Sequence, residues 1–115
     1  MIIFSALSLL ITLPISEEAF SHYQELSAQL DHQIEWIDDQ GSAHVSRTQA
    51  KKLLSQLSQG LNQEAYSMRH SSDWKKGKCF KIIHLKQSKK GFRVFFQCAK
   101  KGDQKVVTKV KVTAL

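Results

Sequence analysis

Apolar and polar positions divide the chain into a helical first part and a strand-rich second part. From Ser16 to about Leu30, residues Ala19, Phe20, Tyr23, Leu26 and Leu30 recur at helical spacing. Ser16 stands at the N-cap position, and Glu17 and Glu18 fall in the first turn, where the helix dipole favours acids. Gln33 to Ile37 then alternates, with Ile34 and Trp36 on one face and Glu35 and Ile37 on the other, before a polar turn over 38–42. A short strand at Ala43 to Val45 runs into Ser46-Arg-Thr-Gln49, a capping-box pattern. The helix it starts carries Ala50, Leu53, Leu54 and Leu57 and ends near Gly60.

Beyond Gly60 the period changes to two. Four β-like segments follow: Ala65 to His70, Lys78 to Lys86, Gly91 to Lys100 and Lys105 to Leu115. The last places Val106, Val110 and Val112 on one face and Lys109 and Lys111 on the other. Helices followed by an antiparallel meander with one covered face predict an α+β domain, with a short N-terminal helix and a second helix packed on the sheet. At 115 residues the chain has room for one such domain, over 17–115.

Residues 1–16 are read separately. Ile2 to Leu13 is an apolar run broken only by Ser5, Ser8 and Thr12 and closed by Pro14. It is too short for a bilayer span, which needs about 20 residues. Two readings fit: the core of an export signal, which places the protein in the periplasm or cell envelope, or a buried first segment. The missing N-terminal Lys or Arg and the poor cleavage site around Pro14-Ile15-Ser16 weigh against the first.

The two cysteines fall at mirror positions in a predicted hairpin. If the loop spans Lys86 to Gly91, Leu85 faces Phe92, Ile83 faces Val94, Lys81 faces Phe96 and Cys79 faces Cys98. Directly opposed strand positions have Cα atoms roughly 4.5–5.5 Å apart, within reach of a strained disulfide. An exported chain allows that bond and a reducing compartment keeps two buried thiols; a one-residue slip removes the pairing. Two cysteines without C-x-x-C or nearby histidine spacing do not make a metal site, and no cofactor motif is present.

Charge changes the picture most. Residues 75–115 hold thirteen Lys/Arg and one acid, Asp103, whereas residues 1–74 hold four Lys/Arg and nine acids. The basic residues therefore belong to the meander, and a surface of this kind attracts anionic partners. Lys89, Lys90, Arg93, Lys100 and Lys101 are the candidate anion-binding residues. A solvated face that guards strand edges against aggregation is the competing explanation. Lysine far outnumbers arginine, which favours nonspecific attraction over forked phosphate recognition.

Ser46-Arg-Thr-Gln-Ala-Lys-Lys-Leu-Leu54, Tyr66-Ser-Met-Arg-His70, Phe92-Arg-Val-Phe-Phe96 and Val106-Val-Thr-Lys-Val-Lys-Val112 follow one another in an order and spacing that resembles a family of small exported bacterial proteins of unassigned function. The resemblance covers about residues 20–113. It implies a fold similar to nuclear transport factor 2 (cystatin-like), a curved antiparallel sheet wrapped around helices, and an export route, but no activity. The chain departs from that pattern in its short first helix, its hairpin cysteines and its many lysines.

Within such a fold, catalysis needs a base and a donor in an apolar cone. His70, His84, Tyr66 and Asp73 are the residues that could serve. Strand histidines and a turn aspartate are more often structural, so a non-catalytic binding module is expected. Trp36, Leu53, Leu57 and Tyr66 would line a cone for a small apolar ligand, together with Met68, Ile83, Val94 and Phe96. The alternatives are a sheet surface that makes a homodimer or takes a protein partner, and a basic face that meets an anionic envelope. Nucleic acid is disfavoured by the export reading.

Overall fold

The computed structural model describes residues 18–75, 77–87 and 89–115, with the side chains of residues 73–75 and 87 outside the description. The apolar run of residues 1–16, with its Ser16 cap, lies outside the described residues. Residues 18–28 form helix α1. There follow β1 (Leu30–Asp38), β2 (Gly41–Ser46), α2 (Arg47–Ser58), a short 3₁₀ turn (Gln63–Ala65), β3 (Tyr66–Lys75), β4 (Lys78–Gln87), β5 (Lys90–Lys101) and β6 (Gln104–Ala114).

Two helices pack on a curved six-stranded mixed sheet, and the class is α+β as expected. Strand order is β2-β1-β6-β5-β4-β3. Every neighbouring pair is antiparallel except β1 and β6. That parallel junction departs from a purely antiparallel sheet. Parallel neighbours need a long connection, and here it runs through α2 and the whole meander.

Local signals set the boundaries. Asp38 accepts the Gln40 N–H at 2.8 Å, and Gly41, at φ 118, closes the β1–β2 turn in a conformation that favours glycine. Ser46 caps α2, accepting the Gln49 N–H at 3.2 Å while the Gln49 side chain accepts the Ser46 N–H at 3.1 Å.

The core lies between the helices and the inner sheet face. Ala19, Tyr23 and Leu26 of α1 and Ala50 and Leu54 of α2 meet Ile34, Ile83, Val94, Phe96 and Val110 from the sheet. One expected face assignment changes. Val107, not Val106, joins Val110 on the inner face, because the β5–β6 register shifts between Gln97 and Cys98. The bulge inserts one residue and so reverses the alternation beyond it.

Candidate functional site

The two faces of the sheet serve different ends. On the inner face the cone is filled by rings. Phe20 meets Tyr66 edge-on at 5.1 Å, and Tyr23 meets Tyr66 at 5.4 Å and Phe96 at 5.8 Å. The Tyr23 hydroxyl donates to the Leu54 carbonyl at 2.6 Å, tying α1 to α2. Burial, and then the neighbouring Tyr66, raises the Tyr23 phenol well above its ordinary value; burial also raises Tyr66.

The eight residues expected to line a cone therefore separate into two groups. Tyr66, Ile83, Val94 and Phe96 are buried core residues, with Met68 half-buried against them. Trp36, itself a buried core residue, and the half-buried Leu53 and Leu57 border an open groove of about 280 Å³ at the α2 side, shared with Asp38, Phe92 and Val112. The Trp36 indole N–H donates to Asp38 Oδ2 at 3.0 Å, which fixes the ring in the groove wall.

On the outer face, the strand register builds three cross-strand rows. The first runs Ser67, His84, Arg93, Thr113. The second runs His70, Ile82, Phe95, Lys111, Ile37, Ser42, and the third Ser72, Phe80, Gln97, Lys109, Glu35, His44. Phe80 and Phe95 stack diagonally, with centroids 5.7 Å apart and planes 27° apart. Ile37, Ile82 and Phe95 form the floor of a hollow of about 410 Å³, rimmed by Arg93, Lys109, Lys111, Gln97 and Thr113. This floor is half-buried although neither helix covers that face.

Charge on this face is one-sided. Among the described residues, Arg69, Lys78, Lys86, Arg93, Lys109 and Lys111 stand on it with one acid, Glu35, which already bridges to Lys109 at 3.5 Å. Two arginines flank His84 on this face. Arg69 Nε lies 3.2 Å from His84 Nδ1, and Arg93 Nε lies 3.1 Å from His84 Nε2. Burial first, then the charges of Arg69, Arg93 and Lys86, hold the His84 imidazole below its ordinary value, so it is neutral near pH 7.

The five candidate anion-binding residues do not converge. Lys89 and Lys90 sit at the β4–β5 turn, and Lys100 and Lys101 at the opposite end of β5, about ten residues and roughly 33 Å away. Lys101 is committed to the buried Asp31, Nζ to Oδ2 2.6 Å, and this hydrogen bond leads the causes that lower the Asp31 carboxyl. Arg93 alone of the five reaches the open-face hollow. Lys109 and Lys111 share its rim, Arg69 stands on the far side of His84, and only the two lysines were legible in sequence as outward-facing residues of a strand. The Arg69 contribution depends on the β3 register shift between Met68 and His70, which no local pattern announces.

His70 and His84 both belong to outer-face rows, so neither stands in the cone with Tyr66. The Asp73 side chain lies outside the described residues. Cys79 faces Cys98 in the expected register, both thiols are free and buried, and burial, with Cys79 beside it, pushes the Cys98 thiol up to about 12. Among the described residues no three His, Cys, Asp or Glu side chains gather as metal ligands, and no helix is long and apolar enough to cross a membrane.

Such a filled cone on a curved sheet defines a helix-on-sheet fold of the nuclear transport factor 2 and cystatin-like type. The chain belongs to the DUF4783 family, a domain of unknown function, whose model matches residues 18–113. A DUF4783 family protein from Bacteroides uniformis is 18% identical, with a TM-score of 0.67 over 81% of this chain and 85% of that one. An NTF-2 like protein of unknown function from Silicibacter pomeroyi is 8% identical, with a TM-score of 0.58 over 97% of this chain and 95% of that one. A cystatin-like domain of unknown function from Nostoc punctiforme is 8% identical, with a TM-score of 0.54 over 85% and 76%. These likenesses carry the fold alone. No curated protein matches.

Proposed function

We propose that the protein is a non-catalytic binding module whose open sheet face receives an acidic protein segment carrying aliphatic or aromatic side chains. One observation carries the reading: a half-buried apolar floor of Ile37, Ile82 and Phe95, which no helix among the described residues covers, lies inside a ring of cations whose one described acid is already paired. Apolar contact supplies affinity, and the ring supplies orientation and rate of encounter. A second copy fits less well, because face-to-face pairing sets the same cations against one another. An anionic envelope surface would meet the same cations but gains little from a concave apolar floor.

Amide chemical-shift mapping tests this with three probes: acidic peptides bearing Phe or Leu, basic peptides of matched hydrophobicity, and anionic vesicles. The expected result is shifts at Ile37, Ile82, Phe95 and Lys111 with the acidic peptides only, weakened by salt and lost in K109E/K111E. Shifts confined to Leu53, Leu57 and Phe92 would overturn it in favour of a small apolar ligand in the groove, which has the favourable feature of a fixed indole in its wall. The reading also takes the protein as exported, on the strength of the apolar run before Pro14. The N-terminal mass of protein from its own host checks this.

A further inference from the structure

Arg69, His84 and Arg93 contain a hydrogen-bonding conflict. Both guanidinium Nε–H groups are aimed at the one imidazole, at 3.2 and 3.1 Å. A neutral imidazole has one acceptor nitrogen, and a protonated one has none. Whichever tautomer His84 adopts, at least one arginine therefore faces an N–H. Among the described residues, no carboxylate pairs with either arginine. Each guanidinium has five N–H donors, of which one is turned to the ring, and both side chains are exposed.

Stability does not call for this arrangement. Two like charges on neighbouring strands repel one another, and they also oppose protonation of the histidine between them. A doubly charged oxyanion laid across the imidazole would reverse all three costs: it neutralises both guanidiniums, accepts from their unused forks and gives the misdirected N–H a partner. A singly charged carboxylate would leave one positive charge over. Ser67 and Thr113, at the ends of the same row, add hydroxyl groups within the site's reach.

We infer that Arg69 and Arg93, bridged by His84, form a subsite for a phosphoryl dianion on the open sheet face. The site stands on its own three residues and does not depend on the apolar floor beside it. The neighbours that set the state of His84 are Arg69 on β3, Lys86 on β4 and Arg93 on β5. Bound dianion offsets their repulsion, so binding and protonation of His84 reinforce one another while the phosphoryl group stays doubly charged, and the coupling is read as a rise in the His84 midpoint.

Inorganic phosphate titrated into the full chain, followed by the His84 ring signals, tests the site. The expected result is saturable binding, a rise in the His84 midpoint, and acetate at least about fivefold weaker. R69Q and R93Q each weaken phosphate about tenfold, R93K recovers part of the loss, and K52Q on the distant surface of α2 leaves it unchanged. All three positions are exposed, so an unaltered amide spectrum verifies the fold. Glycerol phosphate binding as well as phosphate supports a soluble monoester; tighter binding to vesicles containing phosphatidic acid, lost in R69Q, supports a lipid source. An unmoved His84 signal, or phosphate binding that persists in both glutamine variants, overturns the inference. Phosphate binding without any acidic-peptide binding would overturn the partner reading above and leave this one standing.

Discussion

Replacing Tyr23 by Phe should destabilise the protein at neutral pH and stop doing so in alkali. The ring is buried, with 3% exposure, and its two edge-on partners are unaffected by the loss of an oxygen. What goes is the 2.6 Å hydrogen bond to the Leu54 carbonyl. That carbonyl also accepts from Ser58 Oγ at 3.2 Å, so it is not orphaned, and the loss stays near 1 kcal/mol. The second half of the prediction follows from linkage. Burial raises the Tyr23 phenol, so the native state keeps a proton that the unfolded chain gives up above pH 10. The unfolded state then binds fewer protons, and native stability falls by about 1.4 kcal/mol per pH unit beyond that point. The phenylalanine variant lacks this term, whereas the lysines and Tyr66 titrate in both proteins. A gap of about 1 kcal/mol at pH 7 should therefore close near pH 11. Urea midpoints at pH 7, 10 and 11, with unchanged slopes, measure it. The same gap at pH 11 as at pH 7 would refute the reasoning, because it would mean that Tyr23 titrates alike folded and unfolded.

Three further outcomes are expected. Asp31→Asn removes the Lys101 ion pair and should cost about 1 kcal/mol at pH 7, discounted because Lys101 is largely exposed. The Asp31 carboxyl is lowered in the fold, so its contribution is present above the unfolded carboxylate value and lost as pH falls below it; thermal melts from pH 3 to 7 should show a flatter acid limb in the variant. Ser46→Ala breaks the capping box and should cost about 1 kcal/mol by urea midpoint, while Ser46→Asp should retain most of it. Buried Cys79 and Cys98 should react negligibly with a thiol reagent in the native state at pH 8 and stoichiometrically in urea; silence in urea without reductant would show that they have joined.

Much of the fold was legible because its signals are local. Ser46 and Gln49 announce their helix start, and the arithmetic of the β4–β5 hairpin places Cys79 opposite Cys98 without any tertiary information. The misassignment of Val106 has the opposite origin. Alternation alone cannot see a bulge, and one extra residue near Lys109 turns Val106 outward and Val107 inward. The split of the expected cone lining between core and groove has a related origin. Tyr23, Tyr66 and Phe96 have the composition of a pocket lining, but whether rings line a space or fill it depends on the distance between helix and sheet, which sequence does not encode locally. The cations were counted correctly and grouped wrongly. Lys90 and Lys101 are near one another in sequence, yet they mark opposite ends of one twelve-residue strand.

Under the proposed reading, a cone filled by rings leaves recognition to what folding does not use. Alternate residues of β3 to β6 are consumed by the core, so the outward set is free of packing duty. On that set, among the described residues, cations far outnumber the single acid Glu35, on strands where like charges side by side are destabilising. Solubility alone would be met by lysines at the hairpin tips, where repulsion is weakest and edges need guarding. It gives no reason for two arginines trained on one imidazole from either side, or for stacking Phe80 on Phe95 where neither helix covers them. A local arrangement that costs stability and serves no packing is the mark of a site, and on this molecule those features coincide on one face.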